Sequence, residues 1–140
     1  MIYKNYSETA QLLAQKIKEF MEEVETHDRA SLPKYSLTFI NQESGPFAQK
    51  IAEILGTDLN DSTTPKNLII IDNGATLAQE YNEFTDEIKK THPSTNIIIA
   101  IPIIPESEKE ILEKNCDTLL YLHADPYFFS LDQFYEEHSF

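Results

Sequence analysis

Two short apolar runs, Leu68-Ile69-Ile70-Ile71 and residues 97–103, lie between segments whose apolar residues recur every three or four positions. Runs this short, with no polar alternation, leave no side for water. They suit strands covered on both faces rather than helices. Helical segments between such strands supply the crossovers that a parallel sheet needs, and each crossover should be right-handed. The pattern predicts a three-layer α/β domain, with a parallel sheet of about five strands and helices on both faces. No internal repeat, low-complexity tract or linker divides the 140 residues, so 1–140 is expected to be a single domain.

Ser7 can cap a first helix that carries Ala10, Leu13, Ile17, Phe20, Met21 and Val24 on one face. Residues 27–33 suit a loop. Residues 35–40 alternate as a strand does, with Leu37 and Phe39 on one side. A second amphipathic helix is expected after 41–44, turning Phe47, Ala48, Ile51, Ala52 and Leu55 inward and ending at Gly56. Residues 57–59 suit a short strand and 60–66 a polar connection. A helix over 75–90, with Leu77, Tyr81, Phe84 and Ile88 on one stripe, should end before Pro93, and the strand over 97–103 should stop at Pro105. Ser107 and Glu110 have capping-box spacing ahead of Ile111 and Leu112. Residues 118–122 are the expected fifth strand.

The tail carries Tyr127, Phe128, Phe129, Phe134, Tyr135 and Phe140, and Ser130 with Gln133 can open one last helical turn. A small monomer seldom exposes so many rings. They should cover the sheet's edge within the chain or form a two-fold homodimer contact.

Eleven basic and 24 acidic side chains give a net charge of −13. Such a balance argues against nucleic acid as a partner and opposes polyanionic small molecules unless a local cation offsets it. The N-terminus lacks a signal peptide's apolar region, and the longest apolar run is too short to span a membrane, so a cytoplasmic location is expected, with no membrane partner. The single Cys116 excludes an internal disulfide and is expected to be packed rather than nucleophilic. His123 with Asp125 has the look of an acid–base or metal pair, although a loop histidine beside an acid is usually no more than that. His27, His92 and His138 have no zinc-site spacing.

The run Asn67–Ile71 leads into Asp72-Asn73-Gly74-Ala75-Thr76 and then a helical pattern. A polar turn at a strand's carboxyl end, opening a helix, is where open α/β sheets place ligands. Backbone N–H groups there can hold a phosphate, while a carboxylate can hold sugar hydroxyls or a metal. Asp72 serves equally well as a turn former, and Asn73 and Thr76 are common turn residues.

With this element order, Ile69-Ile70-Ile71-Asp72-Asn73-Gly74-Ala75-Thr76, Ile99-Ala100-Ile101-Pro102-Ile103 and the segment with Gly45-Pro46 and Ile51-Ala52-Glu53-Ile54-Leu55-Gly56 resemble the type I phosphoribosyltransferase family, in particular its bacterial predicted members. The resemblance covers most of the chain. It implies a phosphoribosyltransferase-like fold, with ribose hydroxyls at Asp72 and the next position, and the 5′-phosphate in the loop that follows. It also implies pyrophosphate at a turn near Gly45.

The chain departs from that pattern in three places. The second acid is Asn73, and Leu77-Ala78-Gln79-Glu80 replaces a Thr-Gly-rich continuation. The pyrophosphate turn, Asn41-Gln42-Glu43-Ser44-Gly45, has no cation and one acid. Only residues 57–66 are available for the strand and lid that family members place there.

The expectation is therefore a phosphoribosyltransferase-fold protein with degenerate phosphate and pyrophosphate loops. It would be a non-catalytic binding or regulatory module, with Asp72, Asn73, Gly74, Ala75, Thr76 and Gly45 as vestigial ligand-binding residues and no cofactor. The alternative is an atypical enzyme using Asp72 and Thr76, with Mg²⁺ if activity remains. A phosphorylated sugar or nucleotide is the ligand class left open, and a homodimer the assembly left open. A receiver-like phospho-acceptor is disfavoured, since neither an early acidic pair nor a late lysine stands out.

Overall fold

The structure, a computed structural model, describes residues 3–27, 35–59, 67–74 and 78–137, with side chains only to residue 23 in the first stretch. Four strands form one parallel sheet: β1 (Tyr35–Thr38), β2 (Asn67–Ile71), β3 (Asn96–Pro105) and β4 (Thr118–Asp125), in that spatial order. Among the described residues, four α-helices accompany them: α1 (Tyr6–His27), α2 (Gly45–Leu55), α3 (Ala78–Thr91) and α4 (Lys109–Lys114).

Strand alternation assigns the faces. Ile69, Ile71, Ile98 and Ala100 meet α1 and α2 through Leu13, Ile17, Phe47 and Ile51. Leu68, Ile70, Ile97 and Ile99 meet α3 and α4 through Tyr81 and Leu112. With every residue of β2 buried, the three-layer α/β expectation is met.

Among the described residues the sheet has four strands, where about five were expected. Residues 57–59 contribute a single parallel bridge, Leu59 to Leu37, rather than a strand. That bridge nonetheless decides the topology. Leu37 also pairs in parallel with Ile69 of β2, so Leu59 lies on the other edge of β1. The chain leaves β1, crosses through α2 to one side, and next joins the sheet on the opposite side as β2. With α2 on one face and α3 on the other, this reversal lets both crossovers keep the same hand. The reversal point lies between the carboxyl ends of β1 and β2.

Several local expectations are corrected. Asn5, not Ser7, caps α1: its Oδ1 accepts from the Glu8 N–H at 3.0 Å. Stacking of Tyr6 on Tyr135, with centroids 4.2 Å apart, explains why the first turn starts early. The helix continues to His27, where a loop was expected, and residues 28–33 lie outside the described set. Ser107 lies inside a 3-10 turn, Glu106–Glu108, and α4 begins without a side-chain cap, so the Ser107–Glu110 box does not form. The helix expected over 75–90 is present as Ala78–Thr91 among the described residues, and its expected start at 75–77 lies outside them. By contrast, Gly56 ends α2 as expected, in the left-handed conformation at φ 68°.

β3 runs straight through Pro102 to Pro105, longer than its sequence pattern suggested. Pairing with β2 has already ended at Ile71↔Ala100, and the register with β4 passes from Ile101↔Tyr121 to Ile103↔His123. Ile101 and Ile104, three residues apart, pack in the same cluster, so the alternation slips by one near Pro102. The slip sends Ile103 to the opposite face, where it packs on Phe134 and Tyr135 of the tail.

The tail thus covers one end of the sheet from within the chain. Its 3-10 turn, Leu131–Phe134, forms as the Ser130–Gln133 spacing predicts. It pairs with the N-terminal segment through Tyr3 N–H to the Phe134 carbonyl (3.0 Å) and Glu136 N–H to the Tyr3 carbonyl (3.0 Å). Beneath, the Thr9 hydroxyl donates to the Tyr6 carbonyl, leaving the Tyr135 hydroxyl to donate to Thr9 Oγ1 at 3.0 Å. Along the outer edge of β4, Lys16 Nζ donates to the Tyr121 carbonyl at 2.7 Å, which discourages strand addition there.

Candidate ligand site at the strand tips

Ser44, at the end of the turn after β1, and Asp72, just past β2, face each other across the reversal point. Both are buried. Asp72 continues the ladder by one step, its N–H donating to the Ala100 carbonyl at 3.0 Å. Its Oδ1 accepts from the Ser44 hydroxyl, and its Oδ2 accepts from the Gly74 N–H at 3.2 Å. Ser44 Oγ in turn accepts from the Asn73 N–H at 3.1 Å and lies 3.1 Å from Asn73 Oδ1. A hydroxyl has one proton to give, and the carboxylate is the stronger acceptor. Asn73 Nδ2 reaches the Glu43 carbonyl at 3.5 Å. The two strand tips are bound to each other through side chains.

Gly74 is held from the other side. Its φ is +107°. A Cβ built there would lie 3.1 Å from the Ile103 carbonyl oxygen and 3.0 Å from Leu131 Cδ1. The C-terminal segment therefore rests on the turn where a ligand was expected, a contact without any local sequence signal. Among the described residues, the hollow beside Asp72 and Gly74 measures about 10 Å³. That is about one water's space, against the several hundred Å³ of a small-molecule site. Larger hollows lie elsewhere, one of about 500 Å³ at the C-terminal end of α2 and one of about 450 Å³ between α3 and α4.

The remaining candidates separate. Gly45 opens α2 at φ −54°, where a Cβ would make only ordinary contact, 3.5 Å from the Phe39 ring, so neither backbone shape nor close approach requires glycine. Glu43 is exposed, and the turn 41–45 contains no lysine or arginine. Ala75 and Thr76 lie outside the described residues, as does Leu77.

His123 and Asp125 do pair, Nε2 to Oδ2 at 2.8 Å. The His123 hydrogen bond, followed by that from the Tyr127 N–H, holds the Asp125 carboxyl below its ordinary range. The ring of His123 meets Phe134 edge-on at 5.9 Å, tying the pair to the tail. Among the described residues, no group of three or more His, Cys, Asp or Glu side chains is placed to hold a metal. Cys116 is partly buried and donates to the Leu112 carbonyl at 3.2 Å; burial pushes its thiol up to about 11, against nucleophilic use. Among the described residues, no helix is long and apolar enough to cross a membrane.

The fold and site define a parallel α/β domain with a chain reversal at β1 and β2 and a polar turn at the reversal point. Family models, curated proteins and solved structures contain no match to this chain.

Proposed function

We propose that this chain is a phosphoribosyltransferase-like α/β domain whose strand-tip site has become a structural joint, and that it acts as a non-catalytic binding or regulatory module. The observation that carries this reading is the Ser44–Asp72–Asn73 network. Asp72, the residue that would hold a ribose, spends both carboxylate oxygens on its own chain. Asn73 suits the joint better than the acid expected from the family pattern. Its amide can donate toward the Glu43 carbonyl, which a carboxylate cannot do. A second carboxylate here would also sit beside Asp72 and compete for the Ser44 proton.

The missing cation in the 41–45 turn supports the same conclusion. A pyrophosphate there would meet Glu43 and an overall charge of −13 with nothing local to offset either.

Calorimetric titration of the full chain with phosphoribosyl pyrophosphate and Mg²⁺ tests the proposal. Heats no larger than dilution are expected. Micromolar binding accompanied by turnover of any nucleobase would overturn it. Asp72→Ala sharpens the test, because it should lower folding stability rather than ligand affinity.

A further inference from the structure

Between β4 and the last 3-10 turn, the chain turns two aromatic rings to solvent. Tyr127 is 71% exposed and Phe129 86%. Phe128, between them, packs inward on Phe134 with centroids 5.3 Å apart. The loop that displays these rings is fastened at each step. Asp125 Oδ1 accepts from the Tyr127 N–H at 2.7 Å. Gln133 Oε1 accepts from Phe129 N–H at 2.7 Å and Ser130 N–H at 3.0 Å, and its Nε2 donates to the Tyr127 carbonyl at 2.8 Å. Rings held outward on a braced backbone lose little freedom when a partner covers them, which is the property of an interface anchor.

Charge identifies the kind of partner. Beyond Lys114 the chain carries Asp117, Asp125, Asp132, Glu136 and Glu137 and no lysine or arginine. Asp132, in the 3-10 turn that braces the loop, is exposed; Glu136 and Glu137, further along the chain, are exposed beside Tyr3 and Lys4, whose carbonyls accept from their N–H groups. A two-fold contact of this face with a second copy would set acids against acids. A basic segment with an apolar side would instead meet both features.

We propose that the 127–129 loop is a docking surface for another protein that offers a basic amphipathic segment, its apolar side on Tyr127 and Phe129 and its cations toward the flanking acids. The inference extends the non-catalytic reading above. It can fail separately, since titration with phosphoribosyl pyrophosphate does not probe this loop.

The test measures fluorescence anisotropy of a labelled leucine–lysine amphipathic peptide, and of a scrambled peptide of the same composition, against the full chain. The native chain should bind the amphipathic peptide about tenfold more tightly than the scrambled one. Tyr127→Ala with Phe129→Ala keeps every charge and should abolish that preference. Gln133→Ala, which leaves the rings and frees the loop, should weaken binding several-fold. Circular dichroism checks that both variants fold. Equal binding of the two peptides by the native chain, or an unchanged preference in the double variant, would reduce the effect to net charge and overturn the proposal. So would a dimer in sedimentation that the double variant abolishes, since the surface would then belong to a second copy.

Discussion

Replacing Gly74 by alanine probes the joint where backbone shape and tertiary contact coincide. At φ +107° an L-residue costs about 1–3 kcal/mol relative to glycine. The new methyl group would lie 3.0 Å from Leu131 Cδ1 and 3.1 Å from the Ile103 carbonyl oxygen. Leu131 can turn its side chain away. The carbonyl belongs to β3, which is paired to β4 at Ile103↔His123, and yields less, so crowding adds about 1–3 kcal/mol. Reduced freedom of the unfolded chain returns about 0.4–1 kcal/mol. The balance centres on about 3 kcal/mol of lost stability, a fall in Tm of about 10 °C for a chain of this length. Urea and thermal unfolding followed by circular dichroism measure both quantities. Gly45→Ala is the control: at φ −54° with an ordinary 3.5 Å contact, it should leave Tm unchanged or raise it. Equal stabilities for the two glycine variants would refute the account of a clamped turn.

Ser44→Ala removes the hydroxyl that donates to buried Asp72 and should cost about 1–3 kcal/mol in urea unfolding; a loss below about 0.5 kcal/mol would contradict the joint. With its thiol pushed up to about 11, Cys116 should be alkylated at pH 8 at least about tenfold more slowly in the folded chain than in urea, the folded rate rising as pH approaches that value. The Asp125 carboxyl is held below its ordinary range, so the stabilisation it provides is present above its unfolded pKa and lost as pH falls through the lower folded pKa. The stability gap between the native chain and Asp125→Asn should therefore narrow in acid, as read from urea midpoints across a pH series.

The layers were legible because burial on both faces leaves a direct mark: Ile69, Ile70 and Ile71 had nowhere else to go. Capping was legible at Gly56 and Gln133 but not at Ser107–Glu110, where the 3-10 turn Glu106–Glu108 takes the place of the capping box. It failed at the N-terminus, where Ser7 was expected and Asn5 caps instead, the tertiary stacking of Tyr6 on Tyr135 favouring the earlier start. The strand over 97–103 was expected to pass through Pro102, and it does; the proline is tolerated there because a strand proline costs little where a neighbour no longer needs its N–H. β2 has already ended at that point. At the site, the sequence marked the turn but not what fills it. The partner of Asp72 is Ser44, 28 residues away, and Leu131 reaches Gly74 from the far end of the chain. Such pairings have no local periodicity to betray them.

A crevice at a chain reversal can satisfy its polar groups with a ligand or with one another, and the two uses compete. For a ribose to reach Asp72, the Ser44 hydroxyl would have to swing away, leaving the Asn73 N–H without its acceptor as well. Each such loss costs about 1–3 kcal/mol when the group stays buried. Ribose hydroxyls could return a similar amount at Asp72, so sugar contacts alone would give little net affinity. The surplus would have to come from the phosphate groups. A turn at 41–45 with Glu43 and no cation offers nothing to offset the charge of a pyrophosphate. Ligand affinity at this crevice would thus need two changes together, release of Ser44 and a new positive charge. On the proposed reading, either change alone should give no phosphoribosyl pyrophosphate binding in calorimetry, and both together should give it.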